Sequence, residues 1–216
     1  MNLETARYIL GIAGSIAGAI GAGRYIWSIW RGNAEPEFWT WLIFAVGLTG
    51  AAVYTVEGHP GLSGSIFPVT LAALIDIIFV HTWFKRFRYK EGSDEGEKLV
   101  GPVHKFGLAP LAVVLYGLLV GLQWPALVGV LIGIAVDFSA LSILLVKSWR
   151  KPNTEDWPAY FAGAIGGVLG LLALQKWNFT TAAFPVYFAV TQAAIVFILL
   201  RKRFGLGPIH KAAGAS

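Results

Sequence analysis

The stretch WRGNAEPEFWTWLIF, residues 30–44, joins two long apolar runs through a loop that carries a basic residue, a proline, acidic residues and tryptophans. A second loop of the same kind, VKSWRKPNTEDWPAYF at residues 146–161, follows 116 residues later. Several residues coincide when the chain is aligned with itself at that offset: Pro36 with Pro152, Trp41 with Trp157, and Gly47 with Gly163. Because charge, proline and tryptophan agree in one register, the pattern indicates a structural unit that occurs twice.

The composition places the chain in a membrane. Of its 216 residues, 56% are hydrophobic and 13% are charged, and the mean hydropathy is +0.64. A soluble domain has a larger share of charged residues at its surface. Since a membrane-spanning helix needs about 20 mostly apolar residues, the apolar runs can be assigned as spans. Seven spans are predicted, at residues 5–30, 38–56, 64–84, 105–122, 125–146, 158–175 and 182–200.

The predicted fold class is therefore an all-α polytopic membrane protein, with a single membrane domain over residues 1–216. The repeat divides it into a first triple-helix unit (5–85), a linker and connecting helix (86–122), a second triple-helix unit (123–203) and a cytoplasmic tail (204–216). A single connecting span gives both units the same orientation. The repeat is thus parallel, related by an axis along the membrane normal.

The basic residues predict the orientation. Of seventeen Lys and Arg residues, fourteen fall on the side of the two proline loops, Arg7 and Lys176 fall on the other side, and Arg24 lies within a span. Basic loops stay in the cytoplasm, so the N-terminus is predicted outside and the C-terminus inside. Most tryptophans cluster near the cytoplasmic boundary, which predicts an interfacial belt. Its members are Trp27, Trp30, Trp39, Trp41, Trp83, Trp149 and Trp157.

Several classes of function are not expected. The chain has no cysteine, which excludes disulfides, thiolate nucleophiles and cysteine-ligated zinc. No nucleophile or metal constellation is visible, so we expect no enzyme activity, no cofactor and no metal. The longest loop mixes both signs of charge, which disfavours a nucleic-acid partner. Glu155 and Asp156 form no carboxylate pair, and we interpret them as charges that open the sixth span, favoured by the helix dipole.

Two segments, RYIWSIWRGNAEPEFWTWLI (24–43) and VDFSALSILLVKSWRKPNTEDW (136–157), together with the 3+1+3 arrangement, carry a resemblance to a known family. The sequence resembles the SWEET and PQ-loop superfamily of small-solute transporters, and bacterial seven-span proteins of that general type in particular. The resemblance implies alternating access between two three-helix units and a place in the bacterial inner membrane. The superfamily's hinge proline–glutamine pair is absent, and Pro36 and Pro152 lie in loops.

Polar residues inside the spans are candidates for a binding site, because they are costly in hydrocarbon unless paired or hydrated. Asp76 and Gln192 coincide in the repeat register, near the middle of spans three and seven. The resemblance implies that they stand where SWEET proteins place an asparagine pair around a sugar. In a pocket formed by these residues, Tyr25, Tyr54 or Tyr187 could be flanking hydrogen-bond donors. A carboxylate and an amide suit a polyol, yet an ionised Asp76 could equally hold a cation or an amine, or take up a proton.

Asp137, near the middle of span five, is the third candidate for the binding site. It shares a helical face with Gly129 and Gly133, which would let a neighbouring helix approach closely. Span one carries a similar face of Gly14, Gly18 and Gly21. We therefore predict that Arg24 lies within reach of Asp137, either as a static buried pair or as a gate. Alternatively, Arg24 could extend to the cytoplasmic surface. The same glycine-rich faces also suggest a homo-oligomer.

The predicted function is a facilitator for a small polar solute such as a sugar, with coupling to a proton left open. The predicted partners are that solute and the lipid bilayer. The alternative is a non-transporting structural or receptor-like subunit that docks against other membrane proteins. A hydrated interior cavity would favour transport, whereas a filled interior would favour the subunit.

Overall fold

A computed structural model describes residues 2–89 and 125–201 of the chain. The described part is all-helical. Six helices and one short 3₁₀ turn follow in order: α1 (Leu3–Trp30), α2 (Phe38–Glu57), α3 (Leu62–Tyr89), α4 (Ala126–Arg150), the 3₁₀ turn (Pro152–Thr154), α5 (Trp157–Leu172) and α6 (Phe179–Leu200). The predicted connecting helix (105–122), all but the first residues of the predicted linker and the predicted tail (204–216) lie outside the described residues.

Five of these helices, all but α5, are long and apolar enough to cross a membrane. They indicate an integral membrane protein. Helix α5 is also apolar, but its 16 residues end before the predicted 175 and make it shorter than the others. At about 1.5 Å per residue it is roughly 24 Å long, against roughly 30 Å for the hydrocarbon core.

Local signals explain where the helices begin. The side chains of Asn2, Glu37 and Asn178 each accept a hydrogen bond from a backbone N–H in the first turn of the helix that follows. Such bonds satisfy donors that a helix start leaves free. Asn178 and Thr181 form a reciprocal capping box, which starts α6 three residues before the predicted 182.

The exposed surface of α1 is more apolar than its buried surface. Glycines occupy the buried face, at Gly11, Gly14, Gly18 and Gly21. Isoleucines occupy the exposed face, at Ile9, Ile12, Ile16 and Ile20, each half or more exposed. A helix of a water-soluble protein shows the opposite pattern. Small residues inside and large apolar residues outside are typical of a helix that packs closely against its neighbour and faces lipid.

The helices form two groups of three with the same internal order. Helix α3 packs against both α1 and α2, and α6 packs against both α4 and α5. The largest contacts between the groups join α1 to α5 and α2 to α4. When the chain is shifted by 116 residues, α1 falls on α4, α2 on α5 and α3 on α6. The α1–α5 contact and the α2–α4 contact are then equivalent, because each joins the first helix of one group to the second helix of the other.

Both intergroup contacts depend on glycine. A Cβ atom on Gly21 would lie 2.7 Å from the carbonyl oxygen of Ala159, in α5. A Cβ on Gly47 would lie 2.8 Å from the amide nitrogen of Asp137, in α4. Since real Cβ contacts are longer, the backbones approach as predicted only because these positions lack side chains. The glycine faces that suggested a homo-oligomer are therefore covered within the chain.

Candidate functional site: a cavity between the two helix groups

A cavity of about 60 Å³ lies between the two groups and touches all six helices. This volume has room for a few water molecules. Most of its wall is aliphatic or aromatic, with Leu, Ile and Phe side chains from α2, α3, α4 and α6. The polar side chains on the wall are Tyr25, Trp41, Asp137, Tyr160, Thr191 and Gln192. A cavity of this kind, apolar with a few polar groups, is the usual form of a small-molecule site.

Asp137 is the acidic residue of this wall. It is only 4% exposed and lies in the middle of α4, where the backbone of α2 at Gly47 presses against it. Its Oδ2 atom accepts a hydrogen bond from the hydroxyl of Tyr187, in α6. Its Oδ1 atom is buried and has no hydrogen-bond partner among the described residues. A buried carboxylate with one unused acceptor is costly to hold in the membrane interior, so it suggests a binding function.

Thr191 and Gln192 bring α6 to the same cavity. The Thr191 hydroxyl donates to the backbone oxygen of Phe188 at 3.0 Å, so its hydrogen is already used. The Gln192 amide packs beside Gly163, where a Cβ would lie 3.1 Å from Gln192 Oε1. Gly163 thus leaves room for the amide on the cavity wall. Gln192 and Asp137 are the amide and the carboxylate of the wall that a bound molecule could use.

At one end of the cavity lies a buried polar group that we call the Glu155 cluster: Tyr25, Lys147, Glu155 and Tyr160. Lys147 Nζ lies 2.7 Å from Glu155 Oε1, and both side chains are less than one-tenth exposed. The hydroxyls of Tyr25 and Tyr160 both donate to Glu155 Oε2, at 3.0 and 2.6 Å. Every oxygen of this carboxylate is therefore satisfied. The two tyrosine rings also form part of the cavity wall.

The two proline loops of the sequence meet at this end, which we call the proline-loop end. The backbone N–H of Glu35 donates to the carbonyl oxygen of Thr154 at 3.1 Å. Lys147 Nζ donates to the carbonyl oxygen of Glu35 as well as to Glu155. The loop that contains Pro36 and the 3₁₀ turn that begins at Pro152 are thus tied to each other and to the charged pair.

At the opposite end of the cavity, aromatic packing and loop contacts join the two helix groups. Phe67 is fully buried, and its ring centroid lies 5.9 Å from that of Phe188, which lines the cavity. Beyond these rings, the Ser63 hydroxyl donates to the backbone oxygen of Ala173 at 2.8 Å.

The predicted pair of Arg24 and Asp137 does not form. Arg24 Nε lies 3.2 Å from Asp156 Oδ1, at the start of α5, and the Arg24 side chain is 52% exposed. The prediction assumed that the glycine faces of α1 and α4 meet each other. Instead α1 packs on α5 and α4 packs on α2, so Arg24 and Asp137 belong to different helix–helix interfaces.

Asp76 and Gln192 do not share the cavity. Gln192 lines it, whereas Asp76 lies against α2, where the Thr49 hydroxyl donates to its two carboxylate oxygens at 3.3 and 3.4 Å. The cavity face of α3 carries Ile75 and Ile78 instead. Adjacent residues of an α-helix differ by about 100° around the axis, which turns Asp76 away from that face. A match in the repeat register does not determine which way a side chain points.

Of the remaining predicted residues, some line the cavity and others lie outside it. Tyr25 lines the cavity, and Tyr187 reaches the site only through its hydrogen bond to Asp137. Tyr54 packs on Gly129 outside the cavity. Trp41 was predicted to belong to the interfacial belt, but it is buried in the cavity wall with its ring centroid 4.9 Å from that of Tyr25. Trp157 is half-buried beside Phe161.

Sequence reasoning missed the Glu155 cluster. We interpreted Glu155 as a charge at a helix start, and Lys147 as one of the cytoplasmic basic residues. The repeat register contained a signal, since the position equivalent to Glu155 in the first unit is Trp39. Where one unit has an aromatic residue and the other has a carboxylate at the equivalent position, the carboxylate is a candidate for burial beside a cationic side chain.

Among the described residues, no group of three or more His, Asp or Glu side chains could hold a metal ion. No protein-family model, curated protein or solved structure matches the chain. The function proposed below therefore rests on the geometry of the cavity and the sequence.

Proposed function

We propose that the protein is a membrane transporter that moves a small polar solute by alternating access between two three-helix groups. One observation carries the proposal. Asp137, whose carboxylate has one buried oxygen with no hydrogen-bond donor among the described residues, lines a cavity at the interface between the two groups. Transporters built from repeats bind their solute near the middle of the membrane, at the interface between repeats.

The proposed topology is seven spans in a 3+1+3 parallel repeat, with the proline-loop end in the cytoplasm. The exchange of the α1–α5 and α2–α4 contacts under a shift of 116 residues supports the repeat. The fourteen basic residues on the side of the proline loops support the orientation. Together with the resemblance of the sequence to the SWEET and PQ-loop superfamily, they favour a bacterial inner-membrane protein.

In the proposed cycle, each end of the cavity opens in turn. At the proline-loop end, the Lys147–Glu155 pair and the Glu35–Thr154 backbone bond separate. At the opposite end, the contact between Phe67 and Phe188 and the Ser63 bond to α5 separate. Each set joins the first helix group to the second, so a rocking motion of one group against the other opens one end and closes the other.

A non-transporting subunit is the alternative function. It would account for the glycine contacts and the exposed isoleucines of α1. It gives no reason for a cavity with a buried carboxylate between the groups, because a static core is more stable when that position is apolar.

The absence of native cysteine allows a direct test in proteoliposomes. Thr191→Cys places a thiol on the cavity wall, and Val190→Cys places one on the adjacent, exposed apolar face of the same helix. We expect a charged, membrane-impermeant thiosulfonate to label Thr191→Cys from each side of the membrane. We expect Val190→Cys to resist labelling, because thiols in lipid do not ionise. A Thr191→Cys protein that reacts from neither side in membranes, but reacts fully after denaturation, would contradict transport.

A further inference from the structure

We infer that the solute is a small organic cation, a protonated amine with a compact apolar body, whose ammonium group binds Asp137 Oδ1. The inference rests on the proposed function and names the solute class for that cavity. It replaces the sugar suggested by the sequence. It rests on the charge, the hydrogen-bonding groups and the aromatic rings of the cavity wall.

The charge of the wall is the first step. Asp137 lines the cavity, and no Lys, Arg or His is among the described residues that line it. The nearby carboxylate of Glu155 already has Lys147 as its partner at 2.7 Å. Asp137 is therefore a carboxylate on the cavity wall that has no cationic side chain beside it among the described lining residues. An ammonium ion supplies both the missing charge and a donor for Oδ1.

The hydrogen-bonding capacity of the wall is the second step. The hydroxyls of Tyr25 and Tyr160 are committed to Glu155, and that of Thr191 is committed to the backbone of α6. Asp137, the amide of Gln192 and the indole N–H of Trp41 remain, together with the acceptor lone pairs of the three hydroxyl oxygens. A sugar carries many hydroxyl groups, and in this cavity most of them would lose water without gaining a partner. An alkylammonium group has only three N–H donors, for which the Asp137 carboxylate and the Gln192 amide oxygen are acceptors, and the carboxylate also balances its charge.

The aromatic rings are the third step. Tyr25, Trp41, Phe44, Tyr160 and Phe188 all lie on the wall. Their faces attract a cation and accommodate its hydrocarbon part. The volume of about 60 Å³ suits a solute of a few non-hydrogen atoms. A short branched alkylamine fits all three conditions.

The test compares isobutylammonium with isobutanol, a neutral molecule of nearly the same shape, and with glucose. Each is titrated by calorimetry against the purified full-length protein in nanodiscs at constant ionic strength. We expect the amine to bind at least about tenfold more tightly than the alcohol. Equal affinity for amine and alcohol, preference for glucose, or no binding of the amine would overturn the inference.

Matched variants locate the binding. Asp137→Asn keeps an acceptor for Tyr187 but removes the charge, and should weaken amine binding about tenfold or more. Asp137→Glu should restore part of the affinity. Asp76→Asn is the control, because it neutralises another carboxylate of the helix bundle that lies outside the cavity, and it should leave the affinity unchanged. Amine binding that survives Asp137→Asn would contradict the assignment.

The two proposals fail in different ways. If Thr191→Cys reacts from both sides and the amine does not bind, transport stands and the cation assignment is wrong. If the amine binds through Asp137 and Thr191→Cys reacts from neither side, the cavity is a cation site in a protein that does not transport.

Discussion

Removing Lys147 from the Glu155 cluster tests whether this buried pair holds the proline-loop end closed. In Lys147→Met, Glu155 remains buried with two tyrosine hydroxyls but without a cation. Loss of one partner of a buried ion pair costs about 3 to 5 kcal/mol. The two hydroxyl bonds partly stabilise the remaining carboxylate, so we expect a loss of about 3 kcal/mol in the free energy of unfolding.

The double variant supplies the decisive comparison. Glu155→Gln keeps an acceptor for the tyrosines and leaves Lys147 bonded to the backbone of Glu35, so it should cost about 2 kcal/mol. In the combined Lys147→Met and Glu155→Gln protein no uncompensated charge is buried. Its loss should therefore be smaller than the sum of the single losses by about 2 kcal/mol.

The assay is unfolding by sodium dodecyl sulfate in mixed micelles, followed by tryptophan fluorescence. The same single and double variants are then made in the Thr191→Cys protein. The rate of thiol labelling from the proline-loop side should be higher in Lys147→Met than without that substitution. If the two substitutions add to within about 0.5 kcal/mol, the pair does not couple, and its role in closing the cavity is refuted.

Two further predictions concern the helix contacts. Gly21→Ala should lower the free energy of unfolding by about 1 to 3 kcal/mol, because its Cβ would meet the carbonyl oxygen of Ala159. Gly23→Ala, two residues away with no atom within 4 Å, should stay within about 0.5 kcal/mol in the same titration. Arg24→Gln should cost less than about 1 kcal/mol, because the pair with Asp156 is half exposed on the arginine side. A loss of 3 kcal/mol or more would instead indicate a buried partner for Arg24.

The sequence determines the helices well because their signals are local. Apolar run length places five of the helices, and the glycine spacing of α1 and α4 predicts the close contacts that occur. Asp137 is a candidate because it is a charged residue near the middle of an apolar run, which is also a local signal. Each of these inferences depends on the sequence of a single helix.

The pairing of side chains between helices could not be predicted in the same way. Nothing in the sequence states that α1 meets α5 and not α4, so Arg24 was assigned to Asp137 and not to Asp156. Asp76 was expected at the cavity, yet it points about 100° away from Ile75, which lines it. The Glu155 cluster unites side chains from three elements, and its burial depends on all of them.

The most direct test of alternating access is a pair of distance measurements by electron paramagnetic resonance in nanodiscs. Spin labels at Asn33→Cys and Asn153→Cys report on the proline-loop end, and labels at His59→Cys and Lys176→Cys report on the opposite end; all four positions are exposed. We predict a short and a long distance at each end, with populations that shift in opposite directions when isobutylammonium is added. A single narrow distance at both ends, unchanged by the amine, would contradict the account.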